Sequence, residues 1–198
     1  MSKLTLAEQY TLRALTGRVV GQAMAQGAPD ASLGVITNKS YICASLVGAL
    51  EAAQLAEKGG LTEVKTALAE GPEAAKAAVE AVKDADVVFL AFGGELGPEV
   101  NKPLTEAALS ALKEAGYVGE IFFHVRIWAP GFVKEALDKH PELKEYLEEL
   151  PMGTFTFDLD KGVFILHDVY IEDGELKTEP LRVLPLTHEH LELLKRSL

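Results

Sequence analysis

At 198 residues and 21.3 kDa, with 48% hydrophobic and 25% charged residues, the chain has the balance of a globular protein with a full core, which excludes a disordered or fibrous one. A formal net charge of -11, with Lys and Arg scattered singly among more numerous Asp and Glu, argues against nucleic acid as a partner. Cys43 is the only cysteine, so an internal disulfide and a cysteine metal cluster are both excluded.

The opening stretch lacks the apolar core of a secretory leader, and no apolar run approaches the roughly 20 residues of a membrane span. With a lone cysteine suited to a reducing compartment, the expected location is cytoplasmic, with no membrane partner. Thr5 and Glu8 form a capping box for a first helix carrying Leu12, Leu15, Val19 and Met24 at helical spacing, ending near Gly27 and Pro29. "SLGVITN" (32–38) reads as a strand, and the segment behind it as a helix closing on Gly59 and Gly60.

Residues 61–84, rich in Ala, Glu and Lys, predict two helical pieces meeting at Gly71 and Pro72. "DVVFLAF" (86–92) is apolar on both alternating faces, as a parallel strand covered by helices is, and a helix follows from about Asn101 to Ala115. "GEIFFHVRIW" (119–128) predicts a third strand, followed by a helix broken at Pro141. Past Pro151, three strand-like runs joined by "DLDKG" and "EDGE" predict an antiparallel meander, and Thr187 caps a closing helix.

The expected fold is therefore α/β, a mixed sheet with a parallel βαβαβ centre, helices on both faces, an N-terminal helix and a C-terminal antiparallel meander. The expected organisation is one domain over 1–198, with helix and βα units in 1–150 and the meander and last helix of 151–198 on the same core. Strand order stays open.

In open α/β sheets ligands bind beyond the carboxyl ends of the strands, which selects three loops. In the first, Asn38, Lys39 and Ser40 open a helix and suit an anion, or serve only as an ordinary cap beside a solvated lysine. In the second, Gly93 and Gly94 let the backbone turn sharply, and Glu95 reads either as a general base with a raised pKa or as an exposed acid on a turn. That loop has neither Walker nor dinucleotide spacing. In the third, His124 and Arg126 share one strand face and Trp128 stands at its end, offering proton exchange, carboxylate recognition and a pocket wall, or simply a solvated face. The histidines of "HEH" (188–190) do not share a helical face, so no metal site is expected there, and Cys43 reads as a small buried hydrophobe.

"ADVVFLAFGGELGPEVNKPLTEAAL" resembles, over about 25 residues, the strand, double-glycine loop and helix start of molybdopterin-binding proteins of cofactor biosynthesis, which implies a molybdopterin-type ligand. Glu95 stands where that loop usually has a small hydroxyl residue.

The leading expectation is an enzyme acting by acid/base chemistry on a small anionic or carbonyl-bearing metabolite. Glu95 and His124 would be catalytic, and Asn38, Lys39, Ser40, Gly93, Gly94, Arg126 and Trp128 substrate-binding. No cofactor is specified by the residues, so whether the chain is an enzyme stays open. The alternative is a non-catalytic ligand-binding or self-assembling subunit, a homo-oligomer joined through alanine-rich helices or a strand edge. Uniform capping and high alanine content also fit an engineered sequence.

Overall fold

In the computed structural model, which describes residues 4–59 and 63–197, seven strands form one sheet in the order β2-β1-β3-β4-β5-β6-β7. Gly60 and the first two residues of the expected 61–84 helical stretch lie outside the described residues. The expected α/β fold is present, with a parallel centre and antiparallel C-terminal strands.

Helix α1 (Leu6–Gly27) begins at the Thr5–Glu8 capping box. Strand β1 (Leu33–Asn38) follows, then α2 (Tyr41–Glu57). All residues of β1 and of β3 (Val87–Ala91) are buried, because helices cover both faces of the sheet. On one face Val20, Leu46 and Leu50 of α1 and α2 pack on Val35, Phe89 and Phe155. On the other, α3 (Ala75–Val82), α4 (Pro98–Glu114), α6 (Phe132–Lys139) and α7 (Pro141–Glu148) cover Ile36, Val88, Leu90 and Phe123.

Two expectations need correction. The stretch expected to form two helical pieces holds strand β2 (Val64–Ala69), a short turn of 3-10 helix at Pro72–Ala74, and α3. "VKTALA" has little strand propensity, but parallel pairing of Val64 beside Leu33 through Ala69 beside Asn38 supplies a partner that overrides it. The third strand is also shorter than expected. Strand β4 is Glu120–Phe123, and His124 is the N-cap of a single helical turn, α5 (Val125–Trp128), so His124 and Arg126 do not share a strand face.

Strand β5 (Met152–Asp158) pairs parallel with β4 and antiparallel with β6 (Val163–Glu172), which pairs antiparallel with β7 (Glu175–Pro185). The β6–β7 turn has Asp173 at φ 51° and Gly174 at φ 76°, the two positive values that a tight hairpin with right-handed twist requires. Helix α8 (His188–Ser197), capped by the Thr187 hydroxyl, which accepts from the His190 N–H, seats Leu193 and Leu194 against Leu4 and Leu12.

His190 is buried at this contact, with Nε2 3.1 Å from the Thr16 hydroxyl. That hydroxyl donates to the Leu12 carbonyl at 2.9 Å, so His190 Nε2 is the donor between the two. Burial, and then the charge of Arg13, bring the ring down from the ordinary 6.5 to about 4. The unfolded chain therefore binds a proton in this window that the folded chain refuses, so stability falls as pH drops from about 6.5 through about 4. The contribution is roughly 3 kcal/mol. Urea melts between pH 7 and 4 should show this loss, and His190→Gln should flatten it; an unchanged slope would remove His190 as its source.

Candidate functional site

Strands β1 and β3 are neighbours, yet the chain leaves β1 toward β2 and leaves β3 toward β4. Their carboxyl-end loops diverge and open a crevice, the place where ligands bind in such sheets. The first and second predicted loops meet here.

Asn38, 1% exposed, ties them together: its Nδ2 donates to the Gly93 carbonyl at 3.0 Å and to Asn101 Oδ1 at 2.7 Å. Asn101 Nδ2 in turn donates to the Leu96 carbonyl at 2.7 Å. Gly94 has φ 73°, and a Cβ there would lie 1.9 Å from the Ser40 hydroxyl, so only glycine lets the loop press onto the start of α2.

Ser40 caps α2, accepting from the Cys43 N–H at 3.1 Å, and donates to Glu95 Oε2 at 2.5 Å. The Tyr41 N–H donates to Glu95 Oε1 at 3.1 Å. Burial alone would raise the Glu95 pKa. The Ser40 hydroxyl and the backbone N–H groups of Glu95, Tyr41 and Ile42 outweigh it and hold the carboxyl below its usual range. This corrects the expectation of a raised pKa at Glu95. The acid is a second cap on α2, charged and occupied.

His124 is 2% exposed, its ring set edge-on to Phe155. Its Nδ1 accepts from the Arg126 N–H at 3.1 Å, so the proton of the neutral ring belongs on Nε2. Burial first, then the charges of Arg13 and Arg126, hold its pKa well below 6.5, against a weaker opposing pull from the Phe92 backbone. A ring with its only lone pair engaged and no tendency to take a second proton cannot serve as a general base.

Beyond these loops lies a cavity of about 610 Å³. Gly93, Gly94, Glu95, His124 and Arg126 line it, as does Arg13 of α1. Asn38 and Ser40 support its floor without being among the lining residues. Lys39 lies elsewhere, with Nζ 3.0 Å from Glu70 at the far edge of the sheet, so it is no anion clamp for this cavity. Trp128 is not a wall of it either, because its ring stacks on Phe123 with centroids 6.0 Å apart.

The sequence reading missed Arg13, and with it Leu12 and Phe157, which close the cavity from α1 and β5. A charged residue next to Leu12, a buried apolar position of the first helix, was the available signal. Cys43 is buried, and desolvation raises its thiol pKa, which keeps it an inert, neutral group. Among the described residues, no cluster of three or more His, Cys, Asp and Glu is placed to hold a metal, and no helix is long and apolar enough to cross a membrane.

A family model described as "Uncharacterized protein" matches residues 9–193. The chain belongs to that family. A search of curated proteins finds no match. Among solved structures, an extracellular ligand-binding receptor from Verminephrobacter eiseniae is similar at TM-score 0.53 and 17% identity, over 74% of this chain and 38% of that one. An ABC-transporter solute-binding protein from R. palustris in complex with benzoate is similar at TM-score 0.52 and 13% identity, over 87% and 64%. A second R. palustris solute-binding protein, in complex with 4-hydroxybenzoate, is similar at TM-score 0.54 and 9% identity, over 89% and 66%. The chain thus spans between 38% and 66% of the length of these proteins, and the likeness is one of fold.

These findings overturn two expectations. Acid/base catalysis fails because His124 is held neutral with its lone pair engaged and Glu95 is spent on α2, while the fold's solved neighbours are ligand-binding receptors. The cytoplasmic expectation is corrected as well, since the similar Verminephrobacter structure is an extracellular receptor. The strand, loop and helix behind the molybdopterin-binding resemblance are present as β3, the glycine loop and α4, with Glu95 hydrogen-bonded to Ser40 and the Tyr41 N–H at the start of α2.

Proposed function

We propose that this chain binds a small organic molecule in the cavity beside the β1/β3 switch point and releases it chemically unchanged. The observation that carries this reading is a cavity of about 610 Å³ at the place where α/β sheets hold ligands, lined by hydrogen-bond donors and apolar side chains and without an available base. The small-molecule complexes of two neighbours that share the fold are consistent with it.

A melting screen of the whole chain against organic acids, amines, sugars and nucleotides should find one chemical class that raises Tm saturably. Mass spectrometry of the incubated compound should recover it intact. A bound compound returned altered, or no class that shifts Tm, would refute the proposal.

Self-association is a second reading, favoured by Leu181 and Val183, which are 65% and 54% exposed on the edge strand β7. Light scattering that shows a monomer at high concentration would dispose of it.

A further inference from the structure

We infer that Arg13, Arg126 and the Nε2–H of His124 together hold the carboxylate of an organic acid whose apolar body fills the rest of the cavity. This deepens the ligand-binding reading above and rests on it.

Arg13 and Arg126 come from distant parts of the chain, α1 and α5, and line the same cavity. Among the described residues neither guanidinium has an ion pair or a hydrogen bond, although ion pairs are plentiful elsewhere on this acidic surface. Arg13 Nε is buried without a partner, and so is His124 Nε2. Arg13 is held down to about 10, first by burial and then by the nearby charge of Arg126.

A largely desolvated Arg13 beside the like charge of the exposed Arg126, with Arg13 Nε and His124 Nε2 unsatisfied, is a costly arrangement for the protein by itself. Bound negative charge reverses the sign of that cost. The protein supplies no such charge, because both Glu95 oxygens are engaged at the start of α2 and the Cys43 thiol stays neutral.

The two buried unpartnered groups on residues that line the cavity, Arg13 Nε and His124 Nε2, are both donors, which selects an acceptor-rich anion over a cation or a neutral sugar. A planar carboxylate matches the guanidinium fork and leaves a lone pair for the histidine N–H. Leu12, Phe132 and Phe157 line the remainder, so most of the ligand must be apolar, which inorganic phosphate is not. A dianion would also meet the Glu95 charge in the same cavity.

The test is calorimetric titration of the full chain with benzoate, hexanoate, their neutral amides and inorganic phosphate. An acid of this kind should bind at least about tenfold more tightly than its amide. Arg126→Gln, at an exposed position, should weaken acid binding about tenfold and leave amide binding unchanged. Arg13→Gln should do the same, Arg13→Lys should recover part of the loss, and Lys39→Gln should have no effect. In chain labelled with ¹⁵N-histidine, the His124 Nε2–H signal should shift downfield with the acid and not with the amide.

Amides that bind as well as acids, a preference for phosphate, or arginine variants within about twofold of the parent would each overturn the carboxylate assignment. So would binding confined to amines or sugars. If no compound of any class binds, the ligand-binding reading itself falls.

Discussion

Asn38→Asp should cost the fold roughly 3 kcal/mol, seen as a fall in Tm of about 6–12 °C for a chain of this size. The two side chains have nearly the same shape, so packing is preserved and only the hydrogen-bond sign changes. In the native chain Nδ2 donates to two acceptors, the Gly93 carbonyl and Asn101 Oδ1. Aspartate puts an acceptor, charged at neutral pH, against both at a position 1% exposed. Burial raises the pKa of such a carboxyl in the folded state, so the deficit is largest at neutral pH and shrinks as pH falls toward the unfolded value of about 4. Asn101→Asp is the comparison. It keeps the acceptor that Asn38 needs and sets a carboxylate oxygen against one acceptor, the Leu96 carbonyl, where Asn38→Asp opposes two, so it should cost less. Denaturant melts of both variants at pH 7 and pH 5 decide the matter. If Asn101→Asp proves the more damaging, Asn38 is not the tie between the two loops.

The second large effect lies where α1 crosses α2. An alanine Cβ at Gly17 would sit 2.0 Å from the Leu46 carbonyl oxygen, and at Gly21 2.5 Å from that of Leu50. Both are backbone atoms, so relief requires moving a helix. Gly17→Ala gains about 1 kcal/mol in helix propensity and loses more to overpacking, for a net destabilisation of roughly 2 kcal/mol. Gly48, on α2, has no atom within 4 Å of an added Cβ. Gly48→Ala should therefore be neutral or stabilise by up to about 1 kcal/mol. The same chemical change with opposite signs on two packed helices isolates interhelical distance as the cause. A Gly17→Ala variant as stable as the parent would mean that the helices can separate at no cost.

These two cases show how differently the fold and the site were written in the chain. The capping box at Thr5 and Glu8, the all-apolar run of β3 and the Asp-Gly turn after β6 depend on residues close in sequence, so each was legible before any coordinates. Strand β2 was not. "VKTALA" acquires its extended form from β1, a partner about thirty residues away along the chain. His124 was misplaced on a strand because apolar "FFHVRIW" continues without a break, while the chain turns when the ring accepts the Arg126 N–H. Gly93 and Gly94 stood out as a sharp turn, but only the position of Ser40 explains why no side chain is admitted at Gly94.

The sequence by itself determined the α/β class, the helices on both faces and the antiparallel end of the sheet, because hydrophobic period, caps and turns act over a few residues. Tertiary structure alone decided strand order, the retirement of Glu95 to the start of α2, and the pairing of Arg13 with Arg126 across one cavity. Charge and hydrogen bonding act through space, and more than a hundred residues of chain separate those two guanidiniums.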